Sequence, residues 1–238
     1  MRVFVAQKTS QFEIIFITET WLSHSIADAQ ICPNGYSIIR KDRENQVGGG
    51  VLVIYKRSIA VTSITVESVS SFEHICVEVN FSKSMKGDIV TFCCVYLPPC
   101  AAKCLDSVLN CCTTLDKYAR ASPFYVLGDF NFPGINWPKL YSARKVETTF
   151  LDFCLEAGLV QHVTEATYHT KTSSSLLDLV LANWTGSERI ESVEVAEPFC
   201  DTCDHNTIII SLFYQGEVGN CFNNQKNFRR GYYEKNQA

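Results

Sequence analysis

The stretch of residues 125–137, YVLGDFNFPGINW, constrains the fold more than any other part of the chain. An apolar β-type run stops at Gly128, and Asp129 and Asn131 follow before a proline and a glycine end regular structure. If the pleat of the strand continues, both polar side chains point to the same side. The pattern predicts that a buried strand delivers a carboxylate and a carboxamide to a site for phosphate-ester chemistry. In the alternative interpretation, both residues only cap backbone groups of a turn.

Other apolar runs also carry a polar side chain at or near one end, which favours the first interpretation. These residues are Glu19 after the run 12–18, Tyr96 at the end of the run 89–96, Asp178 within the run 176–181, and Asp204 and His205 before the run 207–213. A carboxylate inside an apolar run is costly to bury unless a cation or hydrogen-bond donors compensate it. Since strand ends that meet at one edge of a sheet form a site, we expect these acids to share a hard divalent cation such as Mg2+.

Periodicity predicts the elements between these runs. Helical spacing of apolar residues indicates helices over residues 102–121 and 147–157, the second ended by Gly158. Residues 74–81 alternate between apolar and other side chains, which predicts a strand with a half-exposed face. Three glycines at 48–50 precede the strand 51–55 and indicate a tight hairpin turn. A phosphate cradle is the weaker alternative, since no Lys-Ser or Lys-Thr pair follows.

Composition bounds the functional class. The chain has 238 residues, 46% hydrophobic and 19% charged, which fits one large domain or two small ones. Its formal net charge of −4 excludes a generally basic nucleic-acid binder, so any DNA contact has to come from a local patch. Twelve cysteines, most of them in apolar runs, indicate buried free thiols, and the pair Cys200 and Cys203 lacks the second pair of a zinc site. Without a secretory leader or a membrane-spanning run, we expect an intracellular, reducing setting and no membrane contact.

The order of six motifs resembles a known superfamily. The motifs are ETWL at 19–22, the GGG turn at 48–50 with its strand, VYLPP at 95–99, GDFN at 128–131, SSLLDLVL at 174–181 and CDH at 203–205. In this order they resemble the endonuclease/exonuclease/phosphatase superfamily. Within it, the chain is most similar to the apurinic-type endonuclease domain of non-LTR (LINE-like) retrotransposons.

This resemblance implies a fold and a reaction. The fold is α+β, a four-layer α/β/β/α sandwich of two packed, mostly antiparallel sheets as in DNase I, and the reaction is metal-dependent hydrolysis that nicks DNA. The metal would be Mg2+, with Mn2+ as the alternative. By motif, Glu19 would be the principal metal ligand, Asp204 would lie on the metal side, and Asp129 would activate the water. Asn131 and His205 would contact the phosphate, Tyr96 would contact the phosphate or help the leaving group, and Asp178 would support His205. Thr167 and Ser175 would line the site or the DNA.

One departure from the superfamily pattern bears on activity, and two other functions stay open. The usual first strand, which carries an asparagine of the metal site, has no counterpart before Glu19, so we expect it to be missing. Residues 1–214 would then form the endonuclease-like domain. Residues 215–238 would be a polar linker towards a reverse transcriptase, and the nucleus would be the place of action on DNA. The alternatives are an inactive remnant or binding module of the same fold, and a phosphatase for a small phosphate ester.

Overall fold

The computed structural model describes residues 12–43, 47–64, 71–81, 89–121, 123–200 and 203–213. The strands are β1 (Ile14–Thr18), β2 (Tyr36–Lys41), β3 (Val51–Lys56), β4 (Ala60–Ile64), β5 (Glu73–Asn80), β6 (Ile89–Tyr96), β7 (Phe124–Asp129), β8 (Val160–Gln161), β9 (Tyr168–His169), β10 (Ser174–Ser175), β11 (Asp178–Ala182), β12 (Ile190–Pro198) and β13 (Asn206–Leu212). The helices are α1 (Leu105–Ala119), α2 (Lys145–Glu156) and the short α3 (Trp184–Ser187). The expectations of a missing first strand and of a polar tail at 215–238 lie outside the described residues.

A six-stranded sheet forms the centre of the molecule, in the order β4-β5-β6-β7-β11-β8. Its neighbours pair antiparallel, except that β6 and β7 pair parallel and are connected through α1. α1 and α2 cover one face, where Leu115 and Phe150 are 0% exposed in a cluster with Phe124 of the sheet. The helical spacing of apolar residues therefore places one stripe of each helix against the sheet.

Two smaller sheets cover the other face. β1-β3-β2 and the pair β12-β13 are separate antiparallel sheets, and their apolar residues pack against the same cluster of the large sheet. Phe16 of β1 and Phe92 of β6, for example, have ring centroids 5.4 Å apart. Outside the three-stranded sheet, Ile26 and Ile31 pack on a third apolar cluster from a segment whose described regular structure is one 3-10 turn, Asp28–Gln30. The predicted α+β sandwich is confirmed.

Three predictions about elements need correction. β5 is buried on both faces, with Glu78 as its one exposed residue, because the large sheet is covered on both sides. Asp178 begins β11 and does not interrupt it. The three glycines do not connect β2 and β3 by themselves, since Lys41 pairs with Val51 and the described residues 42–43 also lie between these strands.

The prediction of free thiols is wrong for one pair of cysteines. Cys76 and Cys93 lie opposite each other on β5 and β6 and form a disulfide. The sequence pattern could not reveal this pair, because only the register of the two strands brings the residues together. Cys200 and Cys203 are not joined by a disulfide, and their sulfur atoms lie 2.8 Å apart. None of the described helices combines the length and the apolar character needed to cross a membrane.

Candidate active site

Three neighbouring strands bring Tyr96, Asp129 and Asp178 to one edge of the large sheet. β6 and β7 run parallel and end at this edge, with Tyr96 opposite Asp129. β11 runs antiparallel to β7 and begins at the same edge, with Asp178 opposite Asp129. These three residues, which are far apart in the chain, are therefore direct neighbours in the sheet.

Gly128 allows β7 to end close beside β6, with Asp129 at the edge of the sheet. Its φ is +136°, and a Cβ at this position would overlap the backbone carbonyl of Val95 in the parallel strand β6. Only glycine combines this backbone conformation with so close an approach of two strands. Asp129 follows at once and is 4% exposed, so the glycine sets the position of a buried carboxylate.

Asn131 faces Asp129 across a tight turn. Its side-chain amide donates hydrogen bonds to Asp129 Oδ2, at 2.9 Å, and to the carbonyl oxygen of Leu97, at 3.1 Å. Its backbone N–H donates to Asp129 Oδ1 at 3.1 Å. Asn131 adopts a left-handed φ of 55°, a strained conformation that the surrounding bonds maintain. Asp129 therefore accepts a bond from the backbone of the turn, and the side chains of Asp129 and Asn131 also lie together at the end of the strand. Both interpretations of the sequence pattern apply here.

Asp178 holds His205 in place. Its Oδ2 lies 2.7 Å from His205 Nδ1, and the side chains are 13% and 34% exposed. The buried hydroxyl of Thr167 accepts hydrogen bonds from the backbone N–H groups of Leu177 and Asp178, at 3.1 and 3.0 Å. The start of β11, and with it the partner of His205, is therefore fixed by Thr167.

The charges of this cluster are strongly coupled. Ligand atoms of Asp129, Asp178 and His205 all lie within 4.8 Å of one another. Burial and the nearby Asp178 raise the pKa of Asp129 to about 7, although His205 and Asn131 oppose this. Burial lowers the pKa of His205, but the bond to Asp178 and the nearby acids outweigh it and raise that pKa overall. The arrangement combines a carboxylate that can take a proton near neutral pH with an imidazole that is readily charged.

Glu19 and Tyr96 form a second contact at the same edge. The Tyr96 hydroxyl donates a hydrogen bond to Glu19 Oε1. Burial and the neighbouring acids raise the pKa of Tyr96, which keeps its phenol protonated. Glu19 is exposed, and its negative charge also contributes to the raised pKa of His205. It does not belong to the group of described residues whose atoms could share one metal ion.

The remaining predicted residues lie around this centre. Asp204 is exposed, and its backbone oxygen accepts a bond from the N–H of His169 at 3.0 Å. Ser175 lines a cleft of about 240 Å³ together with Asn131 and Tyr168. Thr167 is 0% exposed, so its side chain offers no described surface to a substrate. The metal role of Asp204 and the substrate contacts of Ser175 and Thr167 stay predictions.

Sequence reasoning missed three residues that support the site. Arg43 forms two bonds to Glu73, at 2.5 and 3.0 Å, and its guanidinium carbon lies 5.6 Å from the centroid of the Tyr96 ring. The ring of Tyr168 packs on His205 with centroids 4.8 Å apart. Arg43 lies in a charged loop whose residues look solvated in sequence, and no periodicity connects that loop with Tyr96.

Comparisons with known proteins support the fold. The endonuclease domain of TRAS1, a telomere-specific non-LTR retrotransposon, shares 12% identity and a TM-score of 0.67, with 90% of this chain and 93% of that chain covered. The 3′ phosphatase NExo from Neisseria, bound to product DNA hairpin, shares 13% identity and a TM-score of 0.63, with 89% and 93% covered. The AP endonuclease LMAP from Leishmania major shares 12% identity and a TM-score of 0.64, with 88% and 80% covered. At these identities, the likeness shows the fold.

A search of curated protein sequences found no match. A family model described as endonuclease-reverse transcriptase matches residues 90–209, which is half of the chain. The matched range contains Tyr96, Asp129, Asn131, Asp178 and His205, the residues that the structure gathers at one edge of the sheet. The chain belongs to this endonuclease-reverse transcriptase family of the endonuclease/exonuclease/phosphatase superfamily.

Proposed function

We propose that the protein hydrolyses phosphodiester bonds of DNA with the help of a divalent cation and introduces nicks. The observation that carries this proposal is the gathering of Asp129, Asp178 and His205 within 4.8 Å, beside Asn131 and Tyr96. A base, a positive charge and neutral hydrogen-bond donors at one place are what attack on a phosphate requires. A reverse transcriptase domain as partner in the full-length element and action in the nucleus belong to the same proposal.

Each residue of the site has its own role in the proposed reaction. Asp129 takes the proton of the attacking water, because its buried carboxylate lies at the site edge beside Asn131, Asp178 and His205. His205, held by Asp178, donates a charged hydrogen bond to a phosphate oxygen. The amide of Asn131, which now bonds Asp129, and the phenol of Tyr96 bind the phosphate oxygens. Thr167 acts indirectly, since it fixes the start of β11.

The donor set fits a hard divalent cation. Asp129 and Asp178 are two largely buried carboxylates at close distance, and the mutual repulsion that raises the pKa of Asp129 is relieved by a cation. Their oxygen atoms are the ligands that Mg2+ and Mn2+ prefer. Glu19 lies at the same edge, outside the cluster of Asp129, Asp178 and His205, and its role as a metal ligand is part of this proposal. When bound, the ion would neutralise negative charge on the phosphate.

A plasmid-nicking assay tests the proposal. The chain is incubated with supercoiled plasmid in Mg2+, in Mn2+ and in excess EDTA, and we expect open-circular product only with metal. Asp129→Asn and His205→Ala should each reduce the rate by about 10²-fold or more, the usual contribution of a proton-transfer group. Asp152→Asn, an exposed acid on α2, and His24→Ala, an exposed histidine, are matched controls that should nick at the parent rate. Nicking by Asp129→Asn at the parent rate would contradict the assignment.

Two further assays separate the alternatives. The similarity to a 3′ phosphatase favours testing a DNA hairpin that ends in a 3′-phosphate. Faster release of phosphate than nicking of plasmid would assign the site to phosphomonoesters. Calorimetric titration with Mg2+ tests the inactive remnant, because a remnant of the same fold should release no heat of binding while unfolding at a normal temperature.

A further inference from the structure

Each of the three glycines at 48–50 lies against a side chain from another segment of the chain. All three have left-handed φ values, of 87°, 71° and 87°. A Cβ at Gly48 would lie 3.6 Å from the indole of Trp21, one at Gly50 would meet the hydroxyl of Thr20, and one at Gly49 would overlap the guanidinium of Arg43. The three glycines therefore make room for protein side chains next to Glu19.

Of these three side chains, Arg43 also contacts residues of the large sheet. Its guanidinium lies against Gly49 and over the ring of Tyr96, 5.6 Å from the centroid. The carboxylate of Glu73, 11% exposed, binds it through two hydrogen bonds. Glu73 in turn lies directly opposite Tyr96 in the pairing of β5 with β6. A planar, bidentate fork that also stacks on an aromatic ring has one geometry, which lysine cannot reproduce.

Tyr96 contacts Arg43 through its ring and Glu19 through its hydroxyl. Its hydroxyl reaches Glu19, so a rotation of the ring would move the phenol away from the edge that holds Asp129. The Arg43 guanidinium packs on the ring, with Gly49 also in contact with that guanidinium.

We propose that Arg43 is a positioning residue that holds the Tyr96 phenol at the active-site edge, with Gly49 as its seat and Glu73 as its anchor. The catalytic consequence rests on the function proposed above for Tyr96, whereas the contact itself does not. The experiment therefore has one arm without activity and one with it.

The first arm uses NMR of the protein with 13C-labelled tyrosine. Tyr96→Phe identifies the Tyr96 signals, and Arg43→Met and Arg40→Met are then compared. Arg40 is the matched control, because it is a similarly buried arginine, 15% exposed, that binds Asp28 and Asp42 and not Tyr96. We expect Arg43→Met to shift the phenol-carbon signal and to increase the ring mobility of Tyr96, and Arg40→Met to leave both unchanged. Unchanged ring mobility in Arg43→Met would overturn the proposal, whether or not the protein nicks DNA.

The second arm is a double-mutant cycle in the nicking assay. Arg43→Met should lower kcat about tenfold in the parent and less than about twofold in Tyr96→Phe, because no phenol is left to position. Equal losses in both backgrounds would mean that Arg43 acts independently of Tyr96. If Tyr96→Phe itself nicks like the parent, the proposed role of Tyr96 fails while the NMR result still decides the contact.

Gly49→Ala extends this arm. Its matched control is Gly35→Ala, which has a similar φ of 82° but nothing within 4 Å of the added Cβ. Both variants carry the same kind of backbone strain, so a loss of kcat confined to Gly49→Ala reports displacement of Arg43. Equal kcat in the two variants would argue against Gly49 as the seat.

Discussion

His74 makes the stability of the protein dependent on pH in a way that can be calculated. It lies on β5, 4% exposed, with its ring stacked on Phe72 at a centroid distance of 4.8 Å. Within the described structure its Nδ1 has no hydrogen-bond partner. Burial, with a smaller effect of Lys41 and Lys117, lowers its pKa from 6.5 to about 4. The folded protein therefore keeps this imidazole neutral under conditions in which the unfolded chain protonates it.

The sign and size of the effect follow from this difference. Between the two pKa values the unfolded state binds more protons than the folded state, so stability is complete above pH 6.5 and falls as the pH decreases towards 4. A difference of about 2.5 pH units corresponds to about 3 kcal/mol in the free energy of unfolding, of which about 2 kcal/mol is lost by pH 5.

Urea unfolding at pH 7 and pH 5 measures this loss. In His74→Gln, the decrease in the free energy of unfolding between the two pH values should be about 2 kcal/mol smaller than in the parent. His24→Gln, which replaces an exposed histidine, should decrease like the parent. His162, whose pKa burial also lowers, is present in all three proteins and cancels in the comparison. An equal decrease in His74→Gln and in the parent would refute the reasoning.

Further predictions concern packing around the site, all measured by urea unfolding. Gly128→Ala should cost more than about 4 kcal/mol or prevent folding, whereas Gly158→Ala, with a φ of +64° and open space, should cost about 1 kcal/mol. Leu115→Ala should cost about 2–5 kcal/mol, and Leu109→Ala, 45% exposed, less than about 0.5 kcal/mol. Thr167→Val should cost about 1–3 kcal/mol because two N–H groups lose their acceptor, and Thr167→Ser should not. A Thr167→Val protein of parental stability with weaker DNA binding would instead support the predicted substrate contact.

Much of the architecture could be predicted from local patterns. The strand that ends in Gly128 and Asp129, the helix after the prolines and the sandwich fold all follow from apolar runs, turn residues and the order of motifs. Boundaries differ by a few residues, and Asp178 lies at the start of its strand and not inside it. That difference has a physical reason, since a carboxylate at the strand end can reach both Asp129 and His205.

The features that could not be predicted from the sequence depend on pairings between distant segments of the chain. The disulfide of Cys76 and Cys93 and the burial of both faces of β5 require knowledge of the neighbouring strand and of the layers above and below. The bond between Arg43 and Glu73 connects a loop to a strand 30 residues later, and no local pattern announces it. Sequence reasoning missed Arg43, Glu73 and Tyr168, because their contacts with the predicted residues depend on these distant pairings.

The parallel pairing of β6 with β7 has a consequence for how the protein folds. Tyr96 and Asp129 become neighbours only after the chain has passed through α1 and returned, and Asp178 joins them from much later in the chain. Contacts of this kind form slowly, because the entropy of closing long loops is lost before the contacts are gained. A nascent chain on the ribosome therefore carries no assembled acid cluster. The site would be assembled only once synthesis has passed His205 and the central strands have closed.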